Sequence, residues 1–220
     1  MTKVKVCGVR SFDNAQMVAE AGADLIGLNF YPPSPRYIDA EAAGDLVKRL
    51  RARLGEHCPV LVGVFVNEPA DRVREAVAKV GLDCAQLSGD ECPETLEELS
   101  GIAFKGIRPE TAEAALVDAE RYGNAMRADG RKPSLLLDAF NPGLYGGTGE
   151  TAAIDVALAV REAVPRLMLA GGLNPENVAE RLRMIRPWGV DVASGVEAGI
   201  PGIKDKDKVR AFITEVRNAG

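Results

Sequence analysis

Two residues far apart in this 220-residue chain have side chains suited to moving protons. Cys7 ends the short run Lys3–Cys7, in which polar and apolar residues alternate. A thiolate at that position can act as base or nucleophile, whereas the thiol cannot. Alternation puts Lys5 on the face of Cys7 and turns Val4 and Val6 the other way. The Lys5 ammonium is therefore expected to lower the pKa of the thiol. Asp138 puts a carboxylate at the end of the apolar run Leu135-Leu136-Leu137, and Asn141-Pro142-Gly143 then reads as a loop. Together the two side chains suit general acid–base chemistry. On position alone the plainer readings stay open: a free cysteine is often a small buried hydrophobe, and an aspartate can cap a helix.

Two further features suit an anionic ligand. Phe30-Tyr31-Pro32-Pro33-Ser34-Pro35-Arg36-Tyr37 is a proline-stiffened loop that presents one guanidinium between aromatic rings. Arginine can grip a carboxylate in two places, although Arg36 in a rigid surface loop can equally be incidental. Gly171 and Gly172 follow the apolar run Leu167–Ala170, and Ser194 and Gly195 follow a second run, Val190–Ala193. Glycines let backbone amides approach a phosphate closely, and a helix start adds partial positive charge. Asn174-Pro175 reads as such a start, with Asn174 as cap and Pro175 in the first helical position. The bland alternative is that these glycines are ordinary turn residues.

The elements that must hold these groups follow from periodicity. β-branched runs at Lys3–Cys7, Leu25–Phe30, Val60–Val66, Cys84–Leu87, Ala103–Ile107, Ser134–Asp138, Leu167–Ala170 and Val190–Ala193 read as strands. Amphipathic stretches between them read as helices at Phe12–Gly22, Ala40–Leu54, Ala70–Val80, Pro93–Leu99, Glu110–Met126, Ala152–Val164 and Pro175–Arg183, with Asp205–Asn218 closing the chain. Alternation of this kind predicts a parallel sheet. Eight units close into a (β/α)8 TIM barrel, an α/β fold, whose active sites lie at the C-terminal ends of the strands. Cys7, Asp138 and both glycine loops sit at such ends. A doubly wound sheet is the runner-up, but Cys7-Gly8-Val9-Arg10 lacks the Gly-rich turn expected after its first strand.

Composition narrows the function. Lys and Arg number 27 against 32 Asp and Glu, a net charge of −5, which argues against nucleic-acid binding. The basic stretch Lys48–Arg53 suits a helix C-terminus. Four separate cysteines and one histidine, His57, offer no zinc spacing, and Cys58, Cys84 and Cys92 read as structural. No run is long and apolar enough for a membrane span, and charges break up the apolar start, so a cytoplasmic protein is expected. No composition break divides the chain, so residues 1–220 are expected to form one barrel domain.

In these residues the chain resembles the phosphoribosylanthranilate isomerase family of tryptophan biosynthesis. The likeness runs through Lys5-Val6-Cys7-Gly8-Val9, Phe30–Ile38, Val62–Asn67, Gln86-Leu87-x-Gly89, Leu136-Leu137-Asp138, Tyr145–Gly149, Gly171–Val178 and Asp191–Glu197. The resemblance implies an Amadori rearrangement on a (β/α)8 barrel, with no metal or organic cofactor. It implies Asp138 as general acid, Cys7 as general base and Arg36 as the anthranilate carboxylate's receptor. Gly171, Gly172, Ser194 and Gly195 would bind phosphate, and Asp191 would face the sugar. The implied partner is a small-molecule phosphoribosyl substrate, for a monomer or homodimer. Two departures from the family pattern stand out. Ser88 occupies a position where the family usually has histidine, and Ala153-Ile154-Asp155-Val156 replaces a Phe-Asp-Trp run. Both leave open a related isomerase or lyase acting on another phosphosugar.

Overall fold

The computed structural model describes residues 1–123, 126, 129–138 and 147–220. The expected loop Asn141-Pro142-Gly143 and the Tyr145-Gly146 part of the family motif lie outside the described residues. Eight strands are present: β1 (Lys3–Cys7), β2 (Leu25–Asn29), β3 (Val60–Phe65), β4 (Cys84–Leu87), β5 (Ala103–Ile107), β6 (Leu135–Asp138), β7 (Leu167–Ala170) and β8 (Gly189–Val192). Helices follow them in turn: α1 (Phe12–Glu20), α2 (Ala40–Leu54), α3 (Ala70–Val80), α4 (Pro93–Glu98), α5 (Ala112–Tyr122), α6 (Gly147–Ala163), α7 (Val178–Ile185) and α8 (Lys206–Ala219). All strand pairs are parallel, and β8 returns to β1, so the sheet closes into the expected barrel. No helix among the described residues is long and apolar enough to cross a membrane.

Register sorts the side chains into two surfaces. Lys5 pairs with Leu25 on one side and Asp191 on the other, Val62 with Cys84, and Leu136 with Met168. Leu25, Val62, Cys84, Phe104, Leu136 and Met168 fill the barrel interior. Their neighbours one residue along, such as Val4, Val6, Ile26, Leu61, Leu87 and Leu137, pack outward under the helices. Burying each such side chain contributes about 1.5–3 kcal/mol, and the period of two makes a one-residue slip prohibitive. Above this apolar layer the inward positions turn polar on several strands, with Cys7 on β1, Asn29 on β2, Gln86 on β4, Asp138 on β6 and Asp191 on β8, and that boundary is the floor of the site.

Helix starts follow local chemistry. Ser11, Asp39, Thr111 and Asp205 each accept a backbone amide at the start of α1, α2, α5 and α8. The start expected at Asn174 is different. Asn174 Oδ1 accepts the amides of Glu176 and Asn177, and Asn177 Oδ1 accepts that of Asn174. These reciprocal bonds close a turn, so α7 begins only at Val178. α5 is shorter than expected, because Thr111 caps it and Gly123 ends it. α6 starts at Gly147, earlier than its apolar period indicates; glycine disfavours helix, and tertiary context overrides that preference.

Candidate active site

The strand ends and their loops enclose a cavity of about 630 Å³ at the C-terminal mouth of the barrel. Cys7, Arg36, Asp138, Gly171, Gly172, Asp191 and Ser194 all line it. Seven of the eight residues proposed from sequence thus converge on one space, contributed by β1, β6, β8 and three loops. Gly195 stands just behind it. A Cβ at Gly195 would lie 2.0 Å from the Leu173 carbonyl oxygen, so only glycine lets the loops after β7 and β8 touch. Those loops form a joint cradle. Gly171 and Gly172 turn through positive φ, and Ser194–Val196 forms a short 3-10 helix.

Cys7 lies above a buried ion pair. Lys5 Nζ donates to Asp191 Oδ2 at 3.0 Å, and the Lys5 side chain is wholly buried. Burial opposes a charge on Lys5, but Asp191 above all holds its pKa above the usual lysine value. The expected lowering of the Cys7 pKa does not follow. Burial pushes the thiol up, and the opposing pull of Lys5 is the weaker effect. Lys5 is shared with Asp191, which explains why it activates the thiol less than its position on the strand suggests.

Arg36 is fixed before any ligand arrives. Its Nε and Nη2 donate to the two carboxylate oxygens of Glu197 at 2.8 and 2.7 Å. Its aliphatic stem lies across Gly8, where a Cβ would sit 2.4 Å from Arg36 Cδ and where φ is +75°. The Ser34 hydroxyl accepts the Arg36 amide, and Arg10 holds the Pro35 carbonyl, so the proline loop is braced at both ends. Glu197 also accepts from Gly202 N at 2.8 Å and Lys204 Nζ at 3.0 Å. Burial alone would raise the Glu197 pKa, but these donors, with Arg36 foremost, bring it down to about 2. Lys204 Nζ then reaches the Ala193 carbonyl at 3.0 Å, tying the arginine brace to the loop after β8.

Asp138 Oδ2 accepts from Arg108 Nε at 3.0 Å, and Arg108 also lines the cavity. Glu197, Lys204, Arg108 and Gln86 received no role from sequence. Arg108 was legible as a strand-end residue, whereas Glu197 sits in a motif whose glycines carry the louder signal. Among the described residues no group of three or more His, Cys, Asp and Glu gathers in a way that would hold a metal ion.

The arrangement sets a thiol on β1 and a carboxylate on β6 around one cavity, with the glycine loops after β7 and β8 and a braced guanidinium at its rim. The sequence model described as N-(5'phosphoribosyl)anthranilate (PRA) isomerase matches residues 4–215. Proteins named N-(5'-phosphoribosyl)anthranilate isomerase are similar along nearly the whole chain. The one from Myxococcus xanthus is 43% identical over 98% of this chain and 96% of its own, and the one from Citrifermentans bemidjiense 40% identical over 99% and 98%. The crystal structure of phosphoribosyl anthranilate isomerase from Thermotoga maritima superposes with a TM-score of 0.82, 36% identity and coverage of 99% and 100%. A phosphoribosyl anthranilate isomerase in complex with reduced 1-(o-carboxyphenylamino)-1-deoxyribulose 5-phosphate gives 0.81, at 34% identity and the same coverage.

Proposed function

Because this chain belongs to the N-(5'-phosphoribosyl)anthranilate isomerase family, we propose that Cys7 and Asp138 are its base and acid. The enzyme isomerises N-(5'-phosphoribosyl)anthranilate to 1-(2-carboxyphenylamino)-1-deoxyribulose 5-phosphate in tryptophan biosynthesis. Residues 1–220 act as one barrel domain, on a small-molecule phosphoribosyl substrate, in the cytoplasm.

The observation that carries the assignment is the convergence of Cys7, Asp138, Arg36 and the two glycine loops on one cavity. Asp138 protonates the ring oxygen of the ribosyl group, and the C1′–O bond breaks to leave a protonated imine. Cys7, as thiolate, removes the proton from C2′, and the electrons move to form the enolamine. The enol then loses its O–H proton while C1′ gains one, giving the ketone with no net change in atoms or electrons. Arg36 holds the anthranilate carboxylate by the guanidinium edge that Glu197 leaves open. Gly171, Gly172, Ser194 and Gly195 hold the phosphate, and Asp191 faces the sugar.

The raised Cys7 pKa has a consequence for this reading. Burial disfavours the thiolate, and the Lys5 charge beside it is the group that most favours the thiolate for proton removal. The test is turnover of freshly generated phosphoribosylanthranilate, followed by loss of anthranilate fluorescence. Cys7→Ser and Asp138→Asn are each expected to lose about 10²-fold or more. Either variant retaining near-native turnover would remove that residue from the mechanism.

A further inference from the structure

The floor of the cavity holds an amide whose hydrogen-bonding needs the free protein leaves half unmet. Gln86 lies on the inward face of β4, between Cys84 in the apolar layer and Ser88 at the mouth. It is 5% exposed. Its Nε2 donates to Ser88 Oγ at 2.9 Å. Its Oε1 is buried and has no hydrogen-bond partner among the described residues. Buried carbonyls are almost always paired, so one left bare at a ligand cavity points to a donor that arrives with the ligand. Because Ser88 Oγ accepts from Gln86, the Ser88 hydroxyl proton is free to point elsewhere. β4 thus offers an acceptor and a donor two residues apart on one face.

Their place in the barrel says which part of the substrate they meet. The phosphate cradle follows β7 and β8, and β4 stands opposite β8 in the ring of strands. Arg36 leaves the loop after β2, but its stem crosses Gly8 and its guanidinium is drawn to Glu197, over the β8–β1 edge. A substrate anchored by phosphate at the rim of β7 and β8 extends its far, anthranilate end across the mouth towards β4. That end carries an N–H donor ortho to a carboxylate acceptor, the complement of what β4 presents.

Resting on the isomerase reading above, we propose that Gln86 and Ser88 recognise this ortho pair. Gln86 Oε1 accepts the N–H that joins anthranilate to C1′, and the Ser88 hydroxyl donates to the ortho carboxylate. The N–H persists in substrate, protonated imine and product. It carries positive charge only in the imine, where a hydrogen bond to the amide carbonyl is strongest. The contact therefore favours ring opening as well as binding. Ser88, which departs from the family's usual histidine, retains a donor at the same place.

The experiment compares two ligands by calorimetric titration. One is reduced 1-(o-carboxyphenylamino)-1-deoxyribulose 5-phosphate, and the other is its ether counterpart, with oxygen in place of N–H. The native enzyme is expected to bind the ether about ten- to a hundredfold more weakly, since the buried acceptor stays bare. Gln86→Met is expected to bind the two within about twofold of each other. Its thermal midpoint should equal or exceed the native one, because the unmet carbonyl is gone. Native protein that binds both compounds equally overturns the proposal, and an amide turned to present its NH2 to the cavity would give that result. Gln86→Met that keeps the discrimination, or loses it together with its thermal midpoint, overturns it too. Turnover by the native chain is measured alongside. Absence of turnover rejects the isomerase reading, whereas turnover with equal binding rejects only the role of Gln86.

Discussion

Replacing Glu197 by glutamine tests whether the receptor proposed at Arg36 is built by charge pairing. Glu197 accepts four hydrogen bonds, from Arg36 Nε and Nη2, Gly202 N and Lys204 Nζ, at 2.7–3.0 Å. Glutamine keeps the shape but removes the charge and turns one acceptor into a donor. The Lys204 side chain is fully buried, so it would lose its counter-charge with no water to replace it. Breaking a buried pair on one side costs about 3–5 kcal/mol. Arg36 is 23% exposed and water relieves its share, which puts the expectation near the lower end, about 3 kcal/mol. In a domain of this size that lowers the melting temperature by about 6–12 °C. With its guanidinium no longer aimed, Arg36 should also bind substrate worse, so KM rises more than kcat falls.

The pH dependence supplies the stricter check. The Glu197 carboxyl is held down to about 2 in the fold, against roughly 4.3 in an unfolded chain. A depressed carboxylate stabilises fully above its unfolded pKa and loses that stabilisation as pH falls through its folded one. The stability gap between native and Glu197→Gln, from urea denaturation, should hold from pH 7 to about 5 and close towards pH 2. A gap within about 0.5 kcal/mol of zero at pH 7, the range of an ordinary surface substitution, would refute the brace. So would a gap unchanged at pH 3.

Two further outcomes follow from the site. Burial raises the Cys7 thiol, and that of Cys84 to about 12, so iodoacetamide at neutral pH should label exposed Cys92 well before either. Cys7 labelling should keep rising into the alkaline range; a plateau below pH 8, read by peptide mass spectrometry, would contradict a raised pKa. Gly195→Ala must push its methyl into the Leu173 carbonyl, so the loops after β7 and β8 separate. Competitive inhibition by inorganic phosphate should weaken by about tenfold, the loss of one or two charge-assisted hydrogen bonds, and an unchanged inhibition constant would show that the cradle lies elsewhere.

Much of the barrel was legible because a buried parallel strand and an amphipathic helix leave distinct periods. Four of the eight strands, at Lys3–Cys7, Cys84–Leu87, Ala103–Ile107 and Leu167–Ala170, have the expected limits, and so do helices α2 and α3. The discrepancies fall where periodicity says nothing. α7 begins late because two asparagine side chains close a turn first. α6 begins early through a glycine-bearing segment, where propensity and fold disagree.

The candidate site was legible to the extent that a residue announces itself on its own strand. Cys7, Asp138 and the glycines do so, because a polar or small residue breaks an apolar run at a strand end. What sequence could not supply is the pairing between remote positions. Strand alternation places Lys5 beside Cys7, but Asp191, 186 residues further on, takes the lysine for itself. Arg36 reads as a free guanidinium until the fold brings Glu197 across 161 residues to meet it. Lys5 and Lys204, both buried, are thus each engaged by a carboxylate, Asp191 and Glu197. The enzyme holds its cations in place by these pairs, and accepts in exchange a thiol whose pKa burial raises.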